Sequence, residues 1–129
     1  MRDLTSLGQA IVDPTRARVI AALRHGELCV CELVEALEIS QSTLSSHLQV
    51  LRQTGIVSTK KEGRWIYYSL TDRKAALIEA VFSHIQPDDD ADPRLQRDAE
   101  RIARRLALRE DGRCVLGFTA LEKHKLISR

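Results

Sequence analysis

The middle of the chain restricts the fold more than any other part of the sequence. Apolar residues recur at helical spacing over residues 31–37 and again over residues 41–54, and Ser40 between them is of a type that caps helices. Two runs rich in β-branched and aromatic residues follow at residues 56–60 and 65–70, joined by a turn that contains glycine. This order predicts a helix-turn-helix followed by a β-hairpin that forms a wing.

Helices are predicted on both sides of this motif. Residues 4–12 are moderately apolar, and Asp13 followed by Pro14 supplies the capping residue and first-turn proline of a helix start. Another helix is expected from about Thr71 to the residue before Pro87. The expected fold class is mainly α with a small β-hairpin, a winged helix-turn-helix with an extra C-terminal helix.

The C-terminal part is expected to be an appendage to that domain. An acidic segment is followed by a predicted helix to about Asp111, with a narrow apolar stripe flanked by arginines. Such a stripe requires a partner helix. We therefore predict a winged helix-turn-helix domain over residues 1–86, an acidic linker over residues 87–92, and a C-terminal helix and tail over residues 93–129.

Composition limits the cellular compartment and the chemistry that the chain is expected to have. The sequence lacks the run of about 18 apolar residues that crosses a bilayer, and its N-terminus lacks the apolar core of a signal peptide. We therefore expect a cytoplasmic protein with no membrane partner. In a reducing compartment, its 3 cysteines favour metal or redox chemistry over a disulfide framework. The formal net charge of +2 predicts no partner by itself, because affinity for phosphate depends on where the charge sits.

The second helix of the predicted motif has a polar face that suits a DNA groove. In a helix-turn-helix the first residues of this helix meet base edges, and hydroxyl and imidazole groups can also contact phosphates. An ordinary solvated face is the alternative, but basic residues on the hairpin favour DNA because they would lie beside a flanking phosphate. The candidate DNA-binding residues are Gln41, Ser42, Thr43, Ser45, Ser46, His47, Lys60, Lys61 and Arg64.

Cys29 and Cys31 lie one residue apart at a predicted helix start. Thiolates are soft ligands that select thiophilic ions, and this pair can chelate only where the backbone is not regular helix on both sides. A helix N-terminus also lowers the pKa of a thiol, which favours metal binding and oxidation. Two alternatives stay open. The pair could be small buried hydrophobes, or it could form a strained and readily reduced disulfide in a redox sensor.

The sequence resembles the ArsR/SmtB family of metal-sensing repressors. The resemblance covers about residues 8–85 and lies in the motifs DPTR at residues 13–16, ELCVCEL at 27–33, SQSTLSSHL at 40–48 and GRWIYY at 63–68. It implies a homodimer whose interface is formed by the first helix and the helix after the wing. It also implies that the dimer binds double-stranded operator DNA and dissociates when an ion binds.

Within that family the sequence resembles the arsenic-responsive branch, whose motif is Cys-Val-Cys-Asp-Leu-Cys. This resemblance implies that Cys29 and Cys31 are metal ligands, but the third motif position is Val34 here. Cys114 is the only other thiol, and it is equally an incidental residue or a third ligand from the same or the partner subunit. The inducer implied is arsenite or antimonite, with cadmium or another thiophilic ion as the alternative, and no organic cofactor is expected.

Two other functions are not favoured. A second branch of the family binds its ion on the helix after the wing, and Asp72, Glu79 and His84 lack the second histidine of that site. A small thiol enzyme such as an arsenate reductase would need a Cys-x-x-Cys motif on a βαβ pattern or a phosphate-binding loop, and the sequence has neither. We therefore expect a regulator and not an enzyme.

Overall fold

A computed structural model describes residues 2–85 and 92–115 as six α-helices and a three-stranded sheet. In chain order the elements are α1 (Arg2–Val12), α2 (Pro14–Leu23), β1 (Leu28–Cys29), α3 (Val30–Leu37), α4 (Gln41–Gln53), β2 (Val57–Glu62), β3 (Trp65–Leu70), α5 (Asp72–Ile85) and α6 (Pro93–Leu106). The predicted fold class is confirmed. Within the described ranges, no helix combines the length and apolar character that crossing a membrane requires.

Local capping explains where the helices begin. The Asp13 carboxylate accepts hydrogen bonds from the backbone N–H groups of Thr15 and Arg16, at 2.8 and 3.1 Å, and Pro14 occupies the first turn of α2. The Ser40 hydroxyl accepts from the backbone N–H of Thr43 at 3.2 Å and so caps α4. These starts follow the predicted positions because each depends on residues two or three apart.

The wing contains a strand that the sequence did not predict. The sequence predicts no strand before the helix over residues 31–37, but Leu28 and Cys29 form β1, which pairs antiparallel with β3. The sheet order is β1-β3-β2, with Leu28 opposite Tyr68 and Cys29 opposite Tyr67. Two residues are too few to show the alternation of a strand, and the pairing partner lies about forty residues away along the chain. Cys29 is therefore part of the wing sheet.

One apolar core joins the helices to the sheet. Leu33 and Leu37 of α3 lie in the same buried cluster as Leu44 and Leu48 of α4, so the two helices of the motif are packed together. Ile102 of α6 belongs to this cluster and is 1% exposed. The apolar stripe of α6 therefore finds its partner helix, α3, within the same chain.

Polar contacts extend the packing of α6. The Arg18 guanidinium bonds to both carboxylate oxygens of Asp98, at 2.8 and 2.9 Å. Arg101 donates to the backbone carbonyls of Ala36 and Glu35, at 3.0 and 2.9 Å, at the C-terminal end of α3. The predicted end of α6 near Asp111 is not observed. The helix ends at Leu106, and a short turn in which Glu110 pairs with Arg113 follows it. The predicted linker, apart from Asp92, and the tail after residue 115 lie outside the described residues.

Candidate metal centre and nucleic-acid interface

The structure brings all three cysteines of the chain together. Cys29 ends β1 in an extended conformation, Cys31 lies in the first turn of α3, and Cys114 approaches from beyond α6. The Sγ atoms of Cys29 and Cys31 are 3.0 Å apart, and those of Cys31 and Cys114 are 3.4 Å apart. Each residue is at most 2% exposed. Sequence reasoning named Cys114 but had no means of placing it beside the pair.

A tight turn after α6 positions Cys114. Glu110 and Arg113 exchange backbone hydrogen bonds of 3.0 and 2.9 Å, and Asp111 and Gly112 between them adopt positive φ angles of 52° and 72°. Positive φ suits glycine, which occupies one of these two positions. The backbone N–H of Cys114 then donates to the Tyr67 hydroxyl on β3 at 2.8 Å. The third sulfur is thus attached to the wing sheet as well as to α6.

A buried ion pair holds the corner between β1 and α3. Glu32 is 1% exposed, and one of its carboxylate oxygens accepts from the backbone N–H of Cys29 at 2.9 Å. Arg109 donates to both carboxylate oxygens of Glu32 at 2.7 Å and to the Glu27 carbonyl at 2.8 Å. This bidentate contact balances the charge of Glu32. It also fixes the segment after α6 against the start of α3.

A second arginine lies directly beside the sulfur atoms. Arg105 is 2% exposed, and its Nη2 atom is 3.7 Å from the Sγ atoms of both Cys31 and Cys114. Neither Arg105 nor Arg109 was assigned to the site from the sequence. The signal that could have found them is their spacing, since Arg101, Arg105 and Arg109 recur every four residues and so tend to share a helix face.

The three thiols differ in acidity. Hydrogen bonds from Cys29 and Cys31, with the nearby Arg105 guanidinium, lower the pKa of the Cys114 thiol. The hydrogen bond to Cys114, together with burial, raises the pKa of the Cys29 thiol and raises that of Cys31 to about 11. The prediction that a helix N-terminus lowers the pKa of the pair is therefore wrong for this cluster.

The spacing of the sulfur atoms fits a soft ion. In a tetrahedral thiolate site with bonds of about 2.3 Å, the sulfur atoms lie about 3.8 Å apart. The three Sγ atoms here all lie within 4.8 Å of one another, so small side-chain movements would bring them into that arrangement. Glu79 lies on the helix after the wing, where the second branch of the family binds its ion. Here its carboxylate forms an ion pair with Arg24, with 2.7 Å between Arg24 Nε and Glu79 Oε1.

The candidate DNA-binding residues lie on α4 and the wing. Most are exposed, but only 18% of the His47 side chain is exposed. Its Nδ1 atom lies 3.4 Å from Nη1 of Arg16. Lys60 forms an ion pair with Glu62 at 2.7 Å, and the Arg64 guanidinium lies 4.7 Å from the centre of the Trp65 ring. The exposed candidates are Gln41, Ser42, Thr43, Ser45, Ser46, Lys60, Lys61 and Arg64. A DNA contact for any of the nine residues stays a prediction.

An open groove connects α4, the recognition helix of the helix-turn-helix, to the wing. It has a volume of about 510 Å³ and is lined by Ser45, Gln49, Arg52 and Gln53 of α4 and by Tyr68 of β3. Gln49 and Arg52 were not among the predicted residues, because the sequence drew attention to the start of α4 rather than its later turns. The groove makes α4 and β3 parts of one continuous polar surface.

Known regulators resemble this chain. The family described as bacterial regulatory proteins of the arsR family matches residues 13–59. The arsenic resistance transcriptional regulator ArsR1 of Pseudomonas putida is 40% identical over 96 residues, which make up 74% of this chain and 73% of that protein. The chain belongs to the ArsR family. Since the proteins of this family are transcriptional regulators, the expectation of a regulator rather than an enzyme is confirmed.

Solved structures agree with this assignment to the ArsR family. The cadmium metal-sensor CMTR of Mycobacterium tuberculosis has a TM-score of 0.55 and 34% identity, over 70% of this chain and 94% of that one. A homodimeric winged helix-turn-helix DNA-binding domain, Mb0332 from Mycobacterium bovis, has a TM-score of 0.62 and 26% identity, over 65% of this chain and 79% of that one. Both matches support the winged helix-turn-helix of this ArsR-family chain.

Proposed function

We propose that this ArsR-family chain is a homodimeric repressor that leaves its operator DNA when Cys29, Cys31 and Cys114 bind a thiophilic metal or metalloid ion. The observation that carries the proposal is the buried group of three sulfur atoms within 4.8 Å of one another. Thiolates prefer soft ions, and burial protects such a site from competing ligands. The cluster also lies at the start of the helix that supports the recognition helix.

Arsenite or antimonite is the inducer that we propose, and cadmium is the alternative. Three thiols suit the three bonds of a trivalent metalloid, and the Pseudomonas putida relative is named for arsenic resistance. The Mycobacterium tuberculosis structure is titled a cadmium sensor, so both ions are worth testing.

Exposed apolar side chains support a dimer through α1 and α5. Leu4 and Val12 of α1 are 69% and 74% exposed, and Leu77 of α5 is 40% exposed. Apolar side chains that cluster on a surface mark interaction sites in proteins. A second copy of the chain that packs against these two helices would cover them, as the family resemblance implies.

Packing supplies a route from the sulfur cluster to DNA. Coordination would draw Cys29 and Cys31 into one geometry and shift the start of α3. Because Leu33 and Leu37 lie in one buried cluster with the leucines of α4, such a shift would displace the recognition helix. Allosteric coupling of about 1–3 kcal/mol would lower DNA affinity roughly 5- to 150-fold.

A gel-shift titration tests the release. The protein itself would first select a duplex from a random pool, and arsenite and Cd²⁺ would then be added to the complex. We expect the affinity of the reduced wild-type protein to fall roughly 5- to 150-fold. A Cys29→Ser plus Cys31→Ser variant should bind the duplex but lose this response, and Cys114→Ser should weaken it. An unchanged response in the double variant would contradict the proposal, and release by peroxide alone would favour a redox sensor.

Removal of one wing charge tests the DNA-binding surface. Arg64→Ala should weaken binding to every duplex and should lower the dependence of log affinity on log salt by about one, because one phosphate contact is lost. Arg104→Ala is the matched control, since Arg104 carries the same charge with 75% of its side chain exposed on α6. Equal salt slopes for the two variants would show that the wing does not contact phosphate.

A further inference from the structure

We propose that Arg105 raises the affinity of the three-cysteine site for ions whose tris-thiolate complex is an anion, such as Cd²⁺, relative to its affinity for trivalent arsenic. The inference rests on the proposed function, since it concerns the ion that the same three sulfur atoms bind. It assigns a specificity role to a residue outside the thiol set.

The position of Arg105 gives it direct influence on the sulfur atoms. Its side chain is buried, and its Nη2 atom lies 3.7 Å from two of the three Sγ atoms. A guanidinium remains protonated at any pH at which a protein is folded. Ile102 lies in the core and Arg101 bonds to the carbonyls of α3, so α6 holds Arg105 in this place.

The other charged groups near the cluster do not distinguish the ions. Glu32 and Arg109 form a bidentate pair with two bonds of 2.7 Å, so their charges balance each other. Tyr67 approaches through a hydroxyl that accepts from the backbone of Cys114. Arg113 is directed to Glu27 and Glu62 and is half exposed. Among the residues that the structure describes, Arg105 is therefore the charged side chain that contacts the sulfur atoms directly, at 3.7 Å.

The complexes of the two ions differ in charge. When Cd²⁺ binds the three cysteines, three Cd–S bonds form, each thiol proton that is still bound leaves to solvent, and the complex carries one negative charge. When arsenous acid, As(OH)₃, binds three thiols, three As–S bonds replace three As–O bonds, three water molecules leave, and the complex is neutral. A buried cation attracts the first complex far more than the second, because charges interact strongly away from water.

This difference does not depend on the other contacts of Arg105, because they are the same for both ions. A hydrogen bond to a charged group contributes about 1.5–3 kcal/mol, which corresponds to roughly a 10- to 150-fold change in affinity. We expect the cation to raise the affinity for Cd²⁺ relative to the affinity for arsenite by a factor in this range.

The test compares the affinities of two ions in three proteins without DNA. Calorimetric titration of the reduced full-length chain with Cd²⁺ and with arsenite gives both dissociation constants. Arg105→Met removes the charge and keeps an unbranched side chain, and we expect it to lower the ratio of the Cd²⁺ affinity to the arsenite affinity roughly 10- to 150-fold. Arg105→Lys keeps the charge and should retain the wild-type ratio.

The outcomes separate this inference from the proposed function. An unchanged ratio of the two affinities in Arg105→Met would overturn the role of the charge. The same holds if the ratio in Arg105→Lys falls roughly tenfold or more below that of the wild type, and this second variant gives a result even where the methionine variant fails to fold. If the wild-type protein binds neither ion, the proposed metal site itself fails.

Discussion

Arg109→Met should lower the free energy of unfolding by about 3–5 kcal/mol, because removal of one partner of a buried ion pair leaves the other charge uncompensated. The remaining partner is Glu32, which is 1% exposed, whereas the Arg109 side chain is 14% exposed. The substitution also removes the contact from Arg109 to the Glu27 carbonyl. Urea denaturation followed by circular dichroism would measure the change.

Three further variants show whether burial causes this loss. Combining Glu32→Gln with Arg109→Met removes the stranded carboxylate and should recover part of the stability. Together with Glu32→Gln alone, it completes a double-mutant cycle that measures the coupling between the two residues. Arg97→Met is the matched control on α6, because its ion pair with Glu38 is exposed, with 62% and 46% of the side chains accessible. Such pairs contribute about 0–1 kcal/mol. A loss in Arg109→Met as small as in the control would contradict the expectation.

The parts of the fold that could be predicted are those whose causes lie close together in the sequence. Asp13 and Ser40 bond to residues two or three positions ahead, so the starts of α2 and α4 can be read directly. The strand β1 could not be found in this way, because it is two residues long and its pairing partner is β3. The end of α6 at Leu106 could not be predicted from the sequence either, since arginines and apolar residues continue beyond it.

The same distinction between local and distant causes applies to the candidate site. Cys29 and Cys31 are one residue apart at a helix start, and that local pattern alone pointed to soft-ion chemistry. Cys114 joins them through three separate events: the docking of α6 on α3, a turn with two positive φ angles, and a hydrogen bond to Tyr67. The turn is local to Cys114, but the other two events depend on residues far from it in the sequence. The change in thiol acidity follows from the same assembly, since it depends on neighbours distant in sequence.

Ile102→Ala should lower the free energy of unfolding by about 2–5 kcal/mol, because it creates a cavity in the core that α6 shares with the helix-turn-helix. Ile102 is 1% exposed and lies in one buried cluster with Leu33 and Leu37. Denaturation of the full-length chain would measure the effect. Ile66→Ala is the control, since that isoleucine is 45% exposed on the wing and should lose about 1 kcal/mol or less.

This experiment also tests the predicted division of the chain at residues 87–92. If α6 unfolds with the rest, Ile102→Ala shifts a single cooperative transition, and residues 93–115 are part of the DNA-binding unit rather than an appendage. A separate early transition, with the main one unchanged, would support the appendage. The same variant should weaken ion binding only if α6 carries Cys114 to the pair, because loosening α6 moves that sulfur and leaves Cys29 and Cys31 in place.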